Sequence, residues 1–214
     1  MYKIDLHTHS EGSPDGALRI RHYRAMLERG GLDAIAVTDH DTIALAEALR
    51  AELGDRIIIG EEISTMDGEI IGLYLQQAIP PGLSARQTVR AIKAQHGLVY
   101  VPHPFETVRK GLSAKMLDSI AADVDIIEIR NGRAVFQNKS EDALHWAALH
   151  GVAGAASSDA HGWRGWGRTY SMVSELPTAA TLVRLLERAT HNTQTVGWVA
   201  LAYPKFNRLR GKLS

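Results

Sequence analysis

The chain opens on Ile4-Asp5-Leu6-His7-Thr8-His9-Ser10, a short apolar run that delivers two histidines one residue apart. In an extended strand, residues i and i+2 point to the same face. The pattern therefore predicts Asp5, His7 and His9 on one side of a first strand, and Ile4 and Leu6 on the other. Two imidazoles converging from one strand end make a metal-binding pair, because neutral imidazole ligates divalent metals. The same spacing also fits two surface histidines on an edge strand, so the remainder of the chain has to decide.

Working outward, strand-like and helix-like runs alternate. Lys3 to His7 reads as a strand, and a polar loop with Pro14 and Gly16 comes next. Leu18 to Arg29 has a helical pattern closed by Gly30 and Gly31. Strand patterns then fall at Asp33 to Thr38, Arg56 to Ile59, Leu98 to Val101, Val124 to Ile129, Val152 to Ala156 and Tyr170 to Val173. Helical patterns fall at Thr42 to Leu53, Ser84 to Gln95, Ser113 to Ala122, Gln137 to His150 and Thr178 to Ala189. Ser84 is a natural N-cap, with Gly97 as a stop. Met66 to Leu75 reads as a hairpin, or as a strand after a turn at Asp67-Gly68. This alternation predicts a parallel sheet with crossover helices. Six or seven such units fit a barrel better than a doubly wound sheet.

Composition narrows the chemistry. The 214 residues suit one domain and carry 24 basic and 24 acidic side chains, so net charge does not speak for a nucleic-acid partner. There is no cysteine, which excludes disulfides and thiolate metal sites and leaves His, Asp, Glu or neutral oxygen as ligands. That set suits Zn, Mn or Fe. No apolar run approaches the ~20 residues of a membrane span, and the N-terminus lacks a basic, apolar, small-residue leader. A soluble cytoplasmic protein without a membrane partner is the expectation.

The polar residues are placed unevenly. His7, His40, Glu62, His103, Glu128 and Asp159 all fall at the C-terminal ends of predicted strands, and in a β/α barrel those ends share the rim that carries active sites. Five of the ten histidines (His7, His9, His40, His103 and His161) lie at such positions. The other five, His22, His96, His145, His150 and His191, read as surface or packing residues. This clustering favours the metal reading of the opening pair.

The ordered set D-L-H-T-H-S at Asp5 to Ser10, T-D-H-D at Thr38 to Asp41, G-E-E-I-S at Gly60 to Ser64, P-H-P at Pro102 to Pro104 and S-D-A-H at Ser158 to His161 resembles the PHP (polymerase and histidinol phosphatase) family. The resemblance runs to about Tyr170. It implies an α/β fold, a distorted seven-stranded (β/α)7 TIM-like barrel in a single domain, with residues 1–214 as one PHP-like barrel and a short basic tail from about 203 to 214. It also implies two or three divalent metal ions and phosphoester hydrolysis. Carried over residue by residue, His7 and His9 would hold one metal with Glu62 and Asp159. Glu62 would bridge to a second metal bound by His103, and Asp15, His40 and His161 would hold a third. Glu62 is chosen over Glu61 because it directly precedes the Ile-Ser pair. Glu128, in an E-x-x-N pattern with Asn131, stands as a ligand, an outer base or a salt-bridge partner. Asp15 stands as a ligand or a plain turn residue. Asp39 either orients a neighbouring ligand or caps the next helix.

Such a cluster would hydrolyse a small phosphorylated metabolite or nucleotide with a metal-activated water, Asp159 and His161 taking part in catalysis. Arginine forks suit the non-bridging phosphate oxygens. Among Lys110, Arg130, Arg133, Arg164 and Arg168, the choice is Arg133 and Arg168. Trp163 and Trp166 form a Gly-rich aromatic loop that either stacks on a substrate ring or packs as a lid. The basic residues Lys205, Arg208, Arg210 and Lys212 read as a solvated, frayed tail, with a nucleic-acid or anionic-surface contact as the alternative. Three rival functions stay open: an exonuclease on short RNA or DNA ends, a non-catalytic metal-stabilised binding module, and a metal-dependent hydrolase of amides or lactones.

Overall fold

Nine strands form one sheet in the order β7-β6-β5-β4-β3-β2-β1-β8-β9 in a computed structural model, which describes residues 1–135, 137–194 and 196–211, with side chains to 209. The strands are β1 (Tyr2–Asp5), β2 (Ala34–Val37), β3 (Ile57–Ser64), β4 (Glu69–Leu73), β5 (Leu98–Val101), β6 (Ile126–Asn131), β7 (Ala153–Ser157), β8 (Tyr170–Val173) and β9 (Thr190–Asn192). The helices are α1 (Ile20–Glu28), α2 (Ala44–Leu53), α3 (Ala85–Ala94), α4 (Ala114–Ile120), α5 (Ser140–His150), α6 (Leu182–Leu186) and α7 (Trp198–Gly211).

The sheet curls into a nearly closed barrel. Beyond the ends of β1 and β7 the two chains pair directly: Asp159 N–H donates to the His7 carbonyl and His9 N–H to the Ala160 carbonyl, both at 2.9 Å. Lower down, β8 wedges into the seam. It pairs with β1, and Ser171 Oγ bonds both the N–H and the carbonyl of Ala156 on β7.

The sheet is mixed: the parallel strands expected from the alternation are joined by antiparallel ones, one of them at the hairpin read at Met66 to Leu75. Strands β1, β2 and β3 are parallel, as are β5, β6 and β7. Strand β4 runs antiparallel to both β3 and β5, and β8 is antiparallel to β1. The cause is local. Gly68 (φ +136°) closes a tight turn, and a turn that short returns the chain antiparallel, whereas a parallel neighbour needs a long crossover.

The alternating pleat sorts the apolar residues into layers. Ile4, Ala36, Ile58, Ile71, Tyr100, Ile126 and Ala155 pack together as the barrel interior, plugged by Leu182, Leu185 and Leu186 of α6. Ile35, Val37 and Ile57 pack under α1 and α2, while Val99, Val101 and Ile127 pack under α3, α4 and α5. Ser84 caps α3 as expected, in a capping box with Gln87. The C-terminal stretch is not a frayed tail as far as Gly211, because α7 docks back on the barrel rim. Lys212 and the Arg210 side chain lie outside the described residues.

Candidate metal centre

Parallel strand ends bring distant histidines and carboxylates to one rim. His7 and His9 come after β1, His40 after β2, Glu62 lies on β3, His103 comes after β5, and Asp159 and His161 after β7. All are buried except the half-buried His40. Three groups converge: His7 with His9 and Asp159; His7 with Glu62 and His103; and His9 with Asp15, His40 and His161. The ring Nε2 atoms of His7 and His9 lie 3.1 Å apart. Glu62 Oε2 is 3.3 Å from the first and 3.1 Å from the second, and Asp159 Oδ1 is 3.7 and 3.6 Å from them. On the other side, His103 Nε2 is 3.0 Å from Glu62 Oε1. Asp15 Oδ2 lies 3.5 Å from Nε2 of both His40 and His161.

Asp5 belongs to none of the three groups. It accepts from Ser158 N–H and Oγ–H, from Trp166 Nε1 and, at 3.4 Å, from His7 N–H, and so braces the segment that carries the histidines.

Donor atoms packed this way demand a positive charge. His7 Nδ1 lies 3.1 Å from Glu128 Oε1, and an ionised carboxylate can only accept, so Nδ1 carries hydrogen. Nε2 of His7 is then the nitrogen that faces a second imidazole and two anions. Burial acts against a charge on His7, but Glu62, Asp159 and Glu128 outweigh it and push its pKa well above the ordinary value. His40 is likewise pushed up to about 9 against burial, by Glu62 and Asp15. Protons on these rings occupy the place a metal cation would take. The separations also fit: tetrahedral metal–ligand bonds of about 2.1 Å imply donor–donor edges of roughly 3.4 Å. In addition, Nδ1 of His9, His40 and His103 is buried without a hydrogen-bond partner among the described residues. The residues present therefore suit divalent ions.

Glu128 belongs to none of the three groups. Its Oε1 takes His7 Nδ1–H and the Tyr100 hydroxyl (2.9 Å), and its Oε2 takes His103 N–H (2.7 Å) and Asn131 Nδ2 (2.8 Å). A register shift between Glu128 and Arg130 explains the E-x-x-N spacing, since in a regular strand residues three apart face opposite sides. Asp39 is not a helix cap, because α2 begins only at Ala44 with Ile43 before it. It accepts from Ser10 N–H at 2.6 Å and from the Ser10 hydroxyl, bracing the residue after His9.

The arginines divide. Arg133 Nη1 sits 3.4 Å from both Asp159 oxygens and 3.2 Å from His161 Nδ1, and its buried Nε lacks a partner among the described residues. Arg168 is not brought to the cavity. It is exposed, beyond the turn at Gly167 (φ +77°), and its carbonyl accepts from Asn192. Arg130 pairs with Glu141, Arg164 lies 5.7 Å over Trp163, and Lys110 lines the cavity wall. Trp166 packs, edge-on to Tyr23, whereas Trp163 is 59% exposed.

Two cavity residues, Arg109 and Glu69, escaped the sequence reading, and Arg208, read there as part of a solvated tail, lines the cavity with them. Arg109 Nε and Nη2 bond Glu106, and Nη1 bonds Asp159 Oδ2 (2.7 Å) and Asn131 Oδ1 (2.6 Å). Glu69, on the antiparallel β4, is pushed up to about 8 by burial and by Glu62. The Glu106–Arg109 spacing was a weak available signal, Glu69 carried none, and Arg208 was visible only as a member of a basic run. Burial opposes the ionisation of Asp159, but Arg133, His7, His161 and Arg109 hold it well below the usual carboxylate range. Burial, His9 and Arg133 press His161 down to about 3. His103 (φ +28°) and Asp159 (φ +51°) both adopt left-handed backbone, a costly conformation that clusters at functional sites.

A mixed barrel with buried groups of histidines and carboxylates at its C-terminal rim defines a fold whose rim is consistent with metal sites. Residues 5–154 match the PHP domain, and the chain belongs to that family. Two uncharacterized proteins of Methanocaldococcus jannaschii are similar to it. One is 37% identical over 142 residues (60% of this chain, 81% of that protein), the other 30% over 178 residues (81% and 71%). Among solved structures, a two-domain Bacteroides vulgatus protein containing a predicted PHP-like metal-dependent phosphoesterase superposes with a TM-score of 0.71 at 20% identity, covering 97% of this chain and 69% of that one. A candidate metal-dependent phosphoesterase of Bifidobacterium adolescentis gives 0.62 at 19% identity, covering 92% and 97%. At these identities the superpositions speak for the fold alone.

Proposed function

We propose that this chain is a metal-dependent phosphoesterase that hydrolyses a small phosphorylated metabolite or nucleotide. The observation that carries the reading is the juxtaposition of the histidine–carboxylate nest with Arg133, whose buried Nε has no partner among the described residues. The ligands proposed are His7, His9, Asp15, His40, Glu62, His103, Asp159 and His161, with Glu128 holding His7 in place from behind. Two or three ions of Mn, Zn or Fe suit this cysteine-free set. When bound, they would lower the pKa of a water molecule and neutralise phosphate charge.

The chain's own groups do the rest. Arg133 binds a non-bridging phosphate oxygen, where its fork adds geometry to charge. Asp159 and His161 orient the attacking water rather than take its proton outright, because the first is held ionised and the second is only weakly basic. Arg109 has every nitrogen engaged and fixes Asp159 instead of touching substrate. The cavity, of ≈ 220 Å³, suits a phosphate and the atoms next to it. The exposed Trp163 favours, as a second reading, the end of a short oligonucleotide as substrate. Among the described residues no helix is long and apolar enough to cross a membrane. The proposal keeps the cytoplasmic setting and the single 1–214 domain expected from the sequence.

The test is to load the protein with Mn or Zn, quantify the bound ions, and measure release from p-nitrophenyl phosphate, mononucleotides, histidinol phosphate and a 5′-labelled oligonucleotide. Turnover of the small esters is expected. Absence of turnover of every phosphoester at full metal occupancy would overturn the reading.

A further inference from the structure

Helix α7 closes over the third of the convergent groups. Tyr203 lies on Gly162, where an added Cβ would meet its ring at 2.6 Å. Asn207 Nδ2 donates to the carbonyls of Asp15 (2.8 Å) and His161 (3.3 Å), tying the helix to two site loops at once. Pro204 and Arg208 line the cavity. Arg208 Nη2 then donates to Asp15 Oδ2 at 2.5 Å. That oxygen is the hub of its group, 3.5 Å from Nε2 of His40 and of His161. The Asp15 side chain is 1% exposed, whereas Arg208 is 61% exposed, so the arginine reaches in from outside to a buried anion.

A divalent ion bonding this carboxylate oxygen competes with the guanidinium for it, because two cations close to one atom repel. A metal ion entering between Asp15, His40 and His161 therefore weakens the Arg208 contact, and the mostly exposed arginine is free to swing off it. The released guanidinium stays on α7 at the cavity wall, beside the space Arg133 faces. Among the described residues Nη2 is the only side-chain atom of Arg208 engaged in a hydrogen bond, so the rest of its fork is available to a phosphate.

We infer that Arg208 exchanges partners: it neutralises Asp15 while the third metal position is empty, and binds the substrate phosphate once that position is filled. The inference rests on the metal reading of the site. It makes α7 part of the substrate pocket and couples third-ion occupancy to substrate affinity.

The test is calorimetric titration of the metal-free full chain with Mn2+, then of the loaded chain with inorganic phosphate. Arg208→Ala should tighten the weakest Mn2+ position and weaken phosphate, each by about fivefold, the size of effect a half-exposed ion pair supports. Gly162→Ala keeps every charge but unseats Tyr203, and should shift both affinities the same way; it carries the test if Arg208→Ala fails to fold. Loss of phosphate affinity with unchanged Mn2+ binding overturns the exchange, as does indifference of both affinities. A wild-type chain that takes up no Mn2+ overturns the metal reading beneath it, which separates the two failures.

Discussion

Glu128 Oε1 lies 3.1 Å from Nδ1 of His7, while the opposite ring nitrogen, Nε2, lies 3.3 Å from Glu62. One carboxylate thus fixes the hydrogen on the far nitrogen and aims the other into the nest. Groups that orient a ligand in this way are typically worth 10–100-fold in metal affinity. Glu128→Gln keeps the shape and removes the charge. It should weaken Mn2+ binding by about tenfold or more in a competition titration with a chelator. Wild-type affinity would show that Glu128 does not tune His7.

His9 is shared by two of the three convergent groups. His9→Ala should therefore lower the number of ions bound as well as abolish phosphoester turnover. Metal analysis after dialysis gives the count. A variant with the full complement of ions and normal rates would place the reaction elsewhere.

Arg133 and Arg168 looked equivalent in sequence and are separated by the fold. Arg133→Ala should reduce kcat/KM by about tenfold or more, as expected for a lost charge-assisted bond, without loss of metal. Arg168→Ala should be within about twofold of wild type, in line with an exposed surface side chain. Equal losses from both would remove the distinction drawn from their burial.

The raised pKa values of His7 and His40 give metal binding a sign with pH. Both rings hold protons at pH 7 in the metal-free protein, His40 with a value of about 9, and a metal ion can bind only by displacing them. Mn2+ uptake at pH 7 should release protons, read from the dependence of calorimetric heat on buffer ionisation enthalpy. Affinity should fall as pH drops, by about tenfold per pH unit for each proton displaced. Uptake without proton release would contradict the charge state assigned to the empty nest. The metal-free protein should also behave differently from the loaded one in alkali. A folded-state pKa above the unfolded value stabilises fully below about 6.5, so the His40 contribution is lost as pH rises through about 9.

Much of this was legible along the chain. Apolar strand cores such as Ile35–Val37 and Val99–Val101, helix stops such as Gly54 and the Ser84 cap are local signals, and the elements formed where they pointed. The ligand types were legible because histidines and carboxylates sit just after strand cores, and parallel strands carry those ends to one rim. The antiparallel β4 was half-legible, since Asp67-Gly68 marks a turn but not which neighbours the returning strand takes. The role of Asp5 was not legible, because its partners Ser158 and Trp166 lie 153 and 161 residues away in the chain and meet it only in the folded state.

The residue chemistry and its order are set by the chain alone: a cysteine-free set of histidines and carboxylates, most of them at or just after the end of a strand. Only the tertiary structure decided which of them face one another. It set Glu128 behind His7 through a shift in strand register, closed Arg109 onto Asp159, turned Arg168 away and brought Arg208 from α7 onto Asp15. The reason is physical. Residue type and period act within a few positions, whereas a contact such as Asp15 with Arg208, 193 residues apart in the chain, exists only after barrel closure has brought distant segments together.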